Sequence, residues 1–409
     1  MSIVKQLKFH HKKYMPKADF FKYQAQTSPH PLALEISHAE GSYVYDTKGK
    51  KYLDFIAGVS ANSLGHNHPQ VSKAIVEQVK KYTHVMVYGE FVQKPAVELC
   101  KLLTAQLPRQ KDWSVYLTNS GTEATEGALK LAKKFTGRSE IIAANNAYHG
   151  NTQGAMSVCG NENQNRAFRP LVPGIRFITF NDEDEIKKIT SKTAAVILET
   201  IQGGAGFIVP QNDYLAKVKK RCEEVGALLI LDEIQTGIGR TGTFFGFENY
   251  KVTPDIIITG KGLGGGMPIG AFIASLNIMA ILKENPKLGH ITTFGGHPVI
   301  AASALATVKE ITSSNIMVDV LEKEKLFREK LQHPLIKEIR GTGLLLALIV
   351  ETPELASQII LKSLEKGVLL FWLLYEERAV RITPPLNISD EEIKKGCEIL
   401  LDIMDNVSS

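Results

Sequence analysis

Between about residue 66 and residue 300, short apolar runs alternate with stretches of helical periodicity. The runs are SVYLT at 114–118, EIIAA at 140–144, RFITF at 176–180, AAVILE at 194–199, ALLILD at 227–232 and DIIITG at 255–260. Most are continuously apolar, and a strand of that kind needs cover on both faces of its sheet. The stretches between them supply the cover. In 212–226, for example, Tyr214, Leu215, Val218, Cys222 and Val225 fall on one helical face. This alternation predicts an α/β architecture, a mostly parallel sheet with helices on both sides. Ligands of such sheets bind at the carboxyl ends of the strands.

The flanking regions read differently. Residues 41–55, GSYVYDTKGKKYLDF, alternate apolar and polar around a turn at Thr47–Lys50, a hairpin pattern. After residue 300, helical stretches at 300–313 and 319–331 precede a short strand set: IRGTGLLLALIV, GVLLFWLL and AVRITPPLNIS. A last helix is expected over about 390–405, capped by Ser389. The expected division is an N-terminal segment at 1–65 whose hairpin packs on a smaller α+β domain at 301–409. The large domain occupies 66–300.

Bulk properties narrow the function classes. A net charge of +5 over 409 residues gives no argument for nucleic acid. Lys5, Lys8, Lys12, Lys13 and Lys17 make the start basic, which reads as a solvated segment. No apolar run approaches the ~18 residues of a membrane span. The longest, GLLLALIV at 343–350, reads as a buried strand. Cys100, Cys159, Cys222 and Cys397 are widely spread without metal-type spacing. A reducing, cytoplasmic setting is expected, with no metal, membrane or nucleic-acid partner.

The chemistry-bearing residues sit where strands end. Asp232 ends LLILD, and Lys261 ends IIITGK just before a cluster of glycines. Each has a plain alternative, Asp232 as a helix cap and Lys261 as a surface lysine. Together they form the pair that a pyridoxal phosphate enzyme requires. A lysine amine can form a Schiff base with the cofactor aldehyde, and a carboxylate can pair with the pyridine nitrogen. Released, such a lysine can move a proton between carbons.

Other residues join this pair. In LTNSGTEATEGALKLAKKF, a strand gives way to Ser120, Gly121 and Thr122, and then a helix begins. That start is an anion site or a simple cap. Tyr148, in NAYHGNTQGA, is placed to stack on a flat ring or to fill core. His149 beside it reads as structural. Thr292 and Thr293 precede two glycines and offer a second phosphate contact or a hydroxylated turn. Arg381, in VRITPPL, is a carboxylate holder or an edge-strand arginine. Glu199 ends AAVILE and has two candidate duties, pairing a nearby base or orienting Asp232 or His149.

These motifs resemble the class III aminotransferases, pyridoxal phosphate enzymes of fold type I. The resemblance runs from EGSYVYDTKGKKYLDFIAGVSANSLGHNHP to VRITPPLNIS, and Leu229–Gly266 matches the cofactor-attachment signature. It implies a large domain with a mostly parallel seven-stranded sheet and a smaller α+β C-terminal domain. Lys261 would carry the Schiff base and shuttle the proton, and Asp232 would pair with the pyridine nitrogen. Gln235 would touch the cofactor's phenolic oxygen, Tyr148 would stack on the ring, and Ser120, Gly121 and Thr122 would hold the phosphate. Thr293 would reach the phosphate of a neighbouring subunit, which implies a homodimer with shared sites. Arg381 would bind the carboxylate of the amino or oxo acid.

Two positions depart from the acetylornithine, ornithine and 4-aminobutyrate group that the chain resembles. Gly204, in ETIQGGAGF, stands where those enzymes carry a glutamate, and Asn151 stands where they usually carry an arginine. In that group the two side chains manage a carboxylate at the donor's far end. Their loss predicts a donor that need not carry one: a diamine, an amine or another ω-amino compound. The acceptor would be a 2-oxo acid such as 2-oxoglutarate or pyruvate. An aminomutase or decarboxylase of the same superfamily would instead need no external oxo acid. A non-catalytic cofactor-binding protein would not bleach with any amine.

Overall fold

The computed structural model describes residues 16–86 and 89–407. Lys5, Lys8, Lys12 and Lys13 lie outside them, whereas Lys17 is exposed on the short helix Pro16–Tyr23. A seven-stranded sheet forms the centre. Its strands are β1 (Trp113–Thr118), β2 (Glu140–Ala144), β3 (Ile175–Ile178), β4 (Thr193–Glu199), β5 (Leu228–Asp232), β6 (Ile256–Gly260) and β7 (Gly270–Ser275). The order across the sheet is β1-β7-β6-β5-β4-β2-β3. Six strands correspond to the apolar runs read from the sequence. The seventh, GAFIAS, follows the glycine cluster and runs antiparallel between β1 and β6.

The continuous apolar character of the inner strands has a direct cause. Val196, Leu198, Leu229, Leu231 and Ile257 pack on one face with Leu99, Leu103 and the 214–222 helix side chains. Ala195, Ile197, Ile230, Ile256 and Ile258 pack on the other with Ala124, Ala128 and Leu131. Both faces are dry, so neither needs polar residues. β1 and β3 lie at the edges, and most of their residues are only half-buried.

A second, antiparallel sheet joins Glu338–Thr342, Leu345–Ile349, Ala379–Ile382 and Phe371–Trp372 in that order. The helices Pro353–Lys366 and Asp390–Val407 cover it through Ile359, Leu400 and Ile403. The last helix begins as its sequence suggests. Ser389 Oγ accepts from Glu392 N at 3.2 Å, and Glu392 Oε2 accepts from Ser389 N at 2.9 Å. This reciprocal pair satisfies two backbone donors at the helix start. The hairpin Tyr43–Asp46 and Lys51–Asp54 pairs in parallel with Val368–Leu369, and Leu53 and Phe55 enter the same core as Leu348. Among the described residues, no helix is long and apolar enough to cross a membrane.

Candidate active site

A cavity of about 890 Å³ opens where the parallel strands end. Register decides what reaches it. Glu199 and Asp232 pair directly across β4 and β5, so two carboxylates arrive side by side. Asp232 is firmly held: Oδ1 accepts from Ile234 N at 2.9 Å, and Oδ2 lies 2.7 Å from His149 Nδ1. With a carboxylate as partner the imidazole must donate, which fixes Nδ1 as its protonated nitrogen. Its Nε2 is buried without a hydrogen-bond partner. His149, which reads as structural in sequence, is thus the residue that orients Asp232.

Glu199 does a different job. Its Oε2 accepts from Tyr148 N at 3.1 Å and its Oε1 from Gly203 N at 2.9 Å, anchoring two loops that wall the cavity. Burial pushes its carboxyl up to about 7, with His149 pulling it down and the Asp232 charge adding to the rise.

Lys261 follows β6 with φ of 40°, in the left-handed region. Such a backbone costs a non-glycine residue about 1–3 kcal/mol and gathers at functional sites. Burial lowers the pKa of its ammonium, Asp232 opposes that, and Arg381 reinforces it. The amine is therefore closer to its nucleophilic form than a surface lysine.

Arg381 lies on the inner strand Ala379–Ile382, flanked by Leu345–Ile349 and Phe371–Trp372, and not on an edge. It is 7% exposed, and its Nε and Nη1 are buried without partners. Its guanidinium carbon sits 5.7 Å from the Phe207 ring centroid. Burial pulls the guanidinium down to about 10. An unpaired buried cation that lines a cavity is a seat for an anion.

The third contribution comes from a helix start. Ser120 caps the helix Gly121–Thr136, its Oγ accepting from Glu123 N at 3.3 Å, while Gly121 and Thr122 line the cavity. The cap that the sequence allows is thus present, with Ser120 as its acceptor. A Cβ on Gly121 would fall 2.7 Å from Ile234 Cδ1, so any larger residue there would have to displace the Ile234 side chain. Tyr148, Gln235, Asn151 and Gly204 also line the cavity. Gln235 Nε2 donates to Ser60 Oγ at 3.4 Å. Thr293 is exposed and lies outside its own chain's cavity.

Two further residues carry no signal in the sequence reading. Arg240 is 1% exposed and donates through Nη1 to Leu344 O and Pro384 O, tying the loop after β5 to the end of the Arg381 strand. Tyr375 lines the cavity beside Gly204, and its N donates to Gly204 O at 2.9 Å. Both sit in segments whose pattern is ordinary, and only long-range packing singles them out.

These groups fit pyridoxal phosphate. A helix start with a glycine approach suits the phosphate, a fixed carboxylate suits the pyridine nitrogen, and a buried lysine suits the aldehyde. Comparison with known proteins agrees. Residues 23–404 match the family model for aminotransferase class-III. The acetylornithine aminotransferase of Caldanaerobacter subterraneus subsp. tengcongensis is 39% identical over 388 residues, covering 91% of this chain and 95% of that one. Its counterpart in Clostridium acetobutylicum is 40% identical over 379 residues, covering 90% and 95%. Among solved structures, the ornithine aminotransferase of Toxoplasma gondii with partial occupancy of PLP at its active site superposes with a TM-score of 0.86 at 32% identity, covering 96% and 94%. With its sheet order, its lysine and its relatives in agreement, this chain belongs to the class-III aminotransferases, transaminases that use pyridoxal phosphate.

Proposed function

We propose that this transaminase takes its amino group from an ω-amino compound and passes it to a 2-oxo acid such as 2-oxoglutarate or pyruvate. The observation that carries the reading is Arg381, a buried guanidinium with two unpaired nitrogens in the same cavity as Lys261. A 2-oxo acid brings a carboxylate next to its reacting carbonyl, and a planar guanidinium holds carboxylates in bidentate fashion.

When bound, pyridoxal phosphate supplies an electron sink for the bond that is cleaved beside the amine. This chain's own residues do the rest. Asp232, oriented by His149, keeps a negative charge at the pyridine nitrogen. Lys261 would take a proton from the donor carbon in the first half-reaction and give one to the acceptor carbon in the second. Gly121 and Thr122 present backbone and hydroxyl donors to the phosphate. Ser120 caps that helix start and would join Gly121 and Thr122 at the phosphate, Tyr148 would offer a ring face, and Gln235 would reach the phenolic oxygen. Glu199 holds the loops of Tyr148 and Gly204 in place.

The relatives named above act on acetylornithine or ornithine, and both donors carry a carboxylate far from the reacting amine. In this chain the only Lys or Arg side chains among the cavity's described lining residues are Lys261 and Arg381. Asn151 and Gly204 bring no charge. The donor therefore needs no carboxylate at its far end. A donor panel tests this on the purified enzyme: carboxylate-free amines should match or exceed acetylornithine and 4-aminobutyrate, and a large advantage for the latter two would refute it. Lys261→Ala should abolish repeated turnover, and sustained turnover in that variant would sink the catalytic assignment.

We further propose a homodimer. Phe91, Val92, Leu288, Ile291 and Phe294 are exposed around a groove that adjoins Thr293, and Val92 is 92% exposed. A patch of that kind calls for cover, and a second copy would bring Thr293 to its partner's phosphate. A monomer in sedimentation would refute the dimer. The four free thiols suit the cytoplasm.

A further inference from the structure

One stretch of the cavity wall is not explained by the reaction chemistry. Gly204 and Tyr375 form it together. A Cβ on Gly204 would lie 3.0 and 3.1 Å from Tyr375 Cδ2 and Cε2, closer than nearly all real contacts. The ring therefore packs against the glycine, and a side chain at 204 would require it to shift by a few tenths of an ångström. Its position is enforced twice. Tyr375 N donates to Gly204 O at 2.9 Å. The next residue, Glu376, is pinned through Oε2 by Arg378 Nη2 at 2.9 Å and Arg340 Nη1 at 3.3 Å. Burial raises the pKa of the Tyr375 hydroxyl, with Cys159, Glu199 and Tyr148 around it adding to the rise. The phenol is thus a neutral group at this wall.

We propose that Tyr375, seated on Gly204, is a specificity-determining residue that selects primary amines and diamines over donors with a far carboxylate. The ring offers an apolar face to a methylene chain and attracts a distal ammonium by its π-electrons. A distal carboxylate meets neither a cation nor open water at this wall, and it loses hydration without return. Leu374, whose Cβ lies 3.7 Å from the same hypothetical Cβ, continues the apolar surface. This selection rests on the reading that Arg381 serves the oxo acid, which leaves the Tyr375 wall to the donor.

The test uses the holoenzyme with 1,4-diaminobutane and N-acetylornithine as donors and pyruvate as acceptor. Tyr375→Ala should raise the KM for diaminobutane about tenfold, the scale of one apolar contact in a substrate pocket. The KM values for acetylornithine and pyruvate should move by much less. Tyr375→Phe keeps the ring and should recover most of the loss. Gly204→Ala pushes the ring aside and should raise the diaminobutane KM in the same direction, which keeps the test open if Tyr375→Ala folds poorly. An unchanged diaminobutane KM in both Tyr375→Ala and Gly204→Ala overturns the proposal. So does an equal rise for all three substrates, the mark of a merely structural role. Failure of the broader reading is seen separately, since the unaltered enzyme would then transfer no amino group to either pyruvate or 2-oxoglutarate.

Discussion

Replacing Arg381 with methionine should make the protein more stable and a worse enzyme. The guanidinium is 7% exposed, and two of its nitrogens lack partners. Burial draws it down to about 10 from an ordinary value of 12.5, so keeping it charged costs the folded state about 3 kcal/mol. The folded pKa is depressed below the unfolded one, and the group is a base. Its cost is therefore full at every pH below about 10 and fades only as pH rises beyond that. Methionine fills similar space beside Phe207 without a charge or an orphaned donor. Part of the gain is lost because solvent enters the cavity, which leaves about 1–2 kcal/mol. That gain corresponds to a rise of a few degrees in melting temperature. Catalysis should move the other way. Losing a charge-assisted, bidentate carboxylate contact costs about 3–5 kcal/mol, or a loss of about 10² to 10⁴ in kcat/KM for 2-oxoglutarate. Thermal melts of the variant and steady-state kinetics with saturating donor would read both effects. A melting temperature that falls, with an oxo-acid KM that stays put, would refute the reasoning: Arg381 would then be a structural ion whose partner lies elsewhere.

Other perturbations have equally definite signs. Glu199 is raised to about 7 in the folded protein, so its stabilising contribution is complete below about 4.5 and is lost as pH rises through 7. The stability difference between the native chain and Glu199→Gln should therefore change by up to about 3 kcal/mol between pH 5 and pH 8. Parallel urea titrations would check it, and a pH-independent difference would count against a buried, proton-holding Glu199. Ser389→Ala removes the cap of the last helix and should cost about 1 kcal/mol. Denaturant midpoints would show it without any change in KM for either substrate.

Much of this molecule is legible in its sequence, for a reason visible in the strands. Leu228–Asp232 and Ile256–Gly260 are buried along their whole length, so their apolar runs and charged ends stand out. Asp232 and Lys261 are conspicuous because a charge that ends a dry strand has little structural use. The strand Gly270–Ser275 is harder to see, since glycines and a proline precede it and one of its two partners, Trp113–Thr118, is distant in the chain. Arg381 reads equally as an edge residue, because burial of a lone arginine depends on strands that join from 345–349 and 371–372. The bond from His149 to Asp232 spans 83 residues, and no local pattern announces it. Tyr375 is hidden more deeply still: its meaning lies in the missing side chain of a glycine on another loop.

The antiparallel strand Gly270–Ser275 also sets an order of assembly. Trp113–Thr118 has no neighbour in the sheet except that strand. On the ribosome it must wait for about 150 further residues, roughly 8–30 s at ordinary elongation rates. Until then the helix start at Gly121 and the lysine at 261 belong to separate pieces of chain. The two halves of the cofactor site thus come together only when the sheet closes, late in the making of the large domain, and a nascent chain that stalls before residue 270 holds neither a finished sheet nor a usable site.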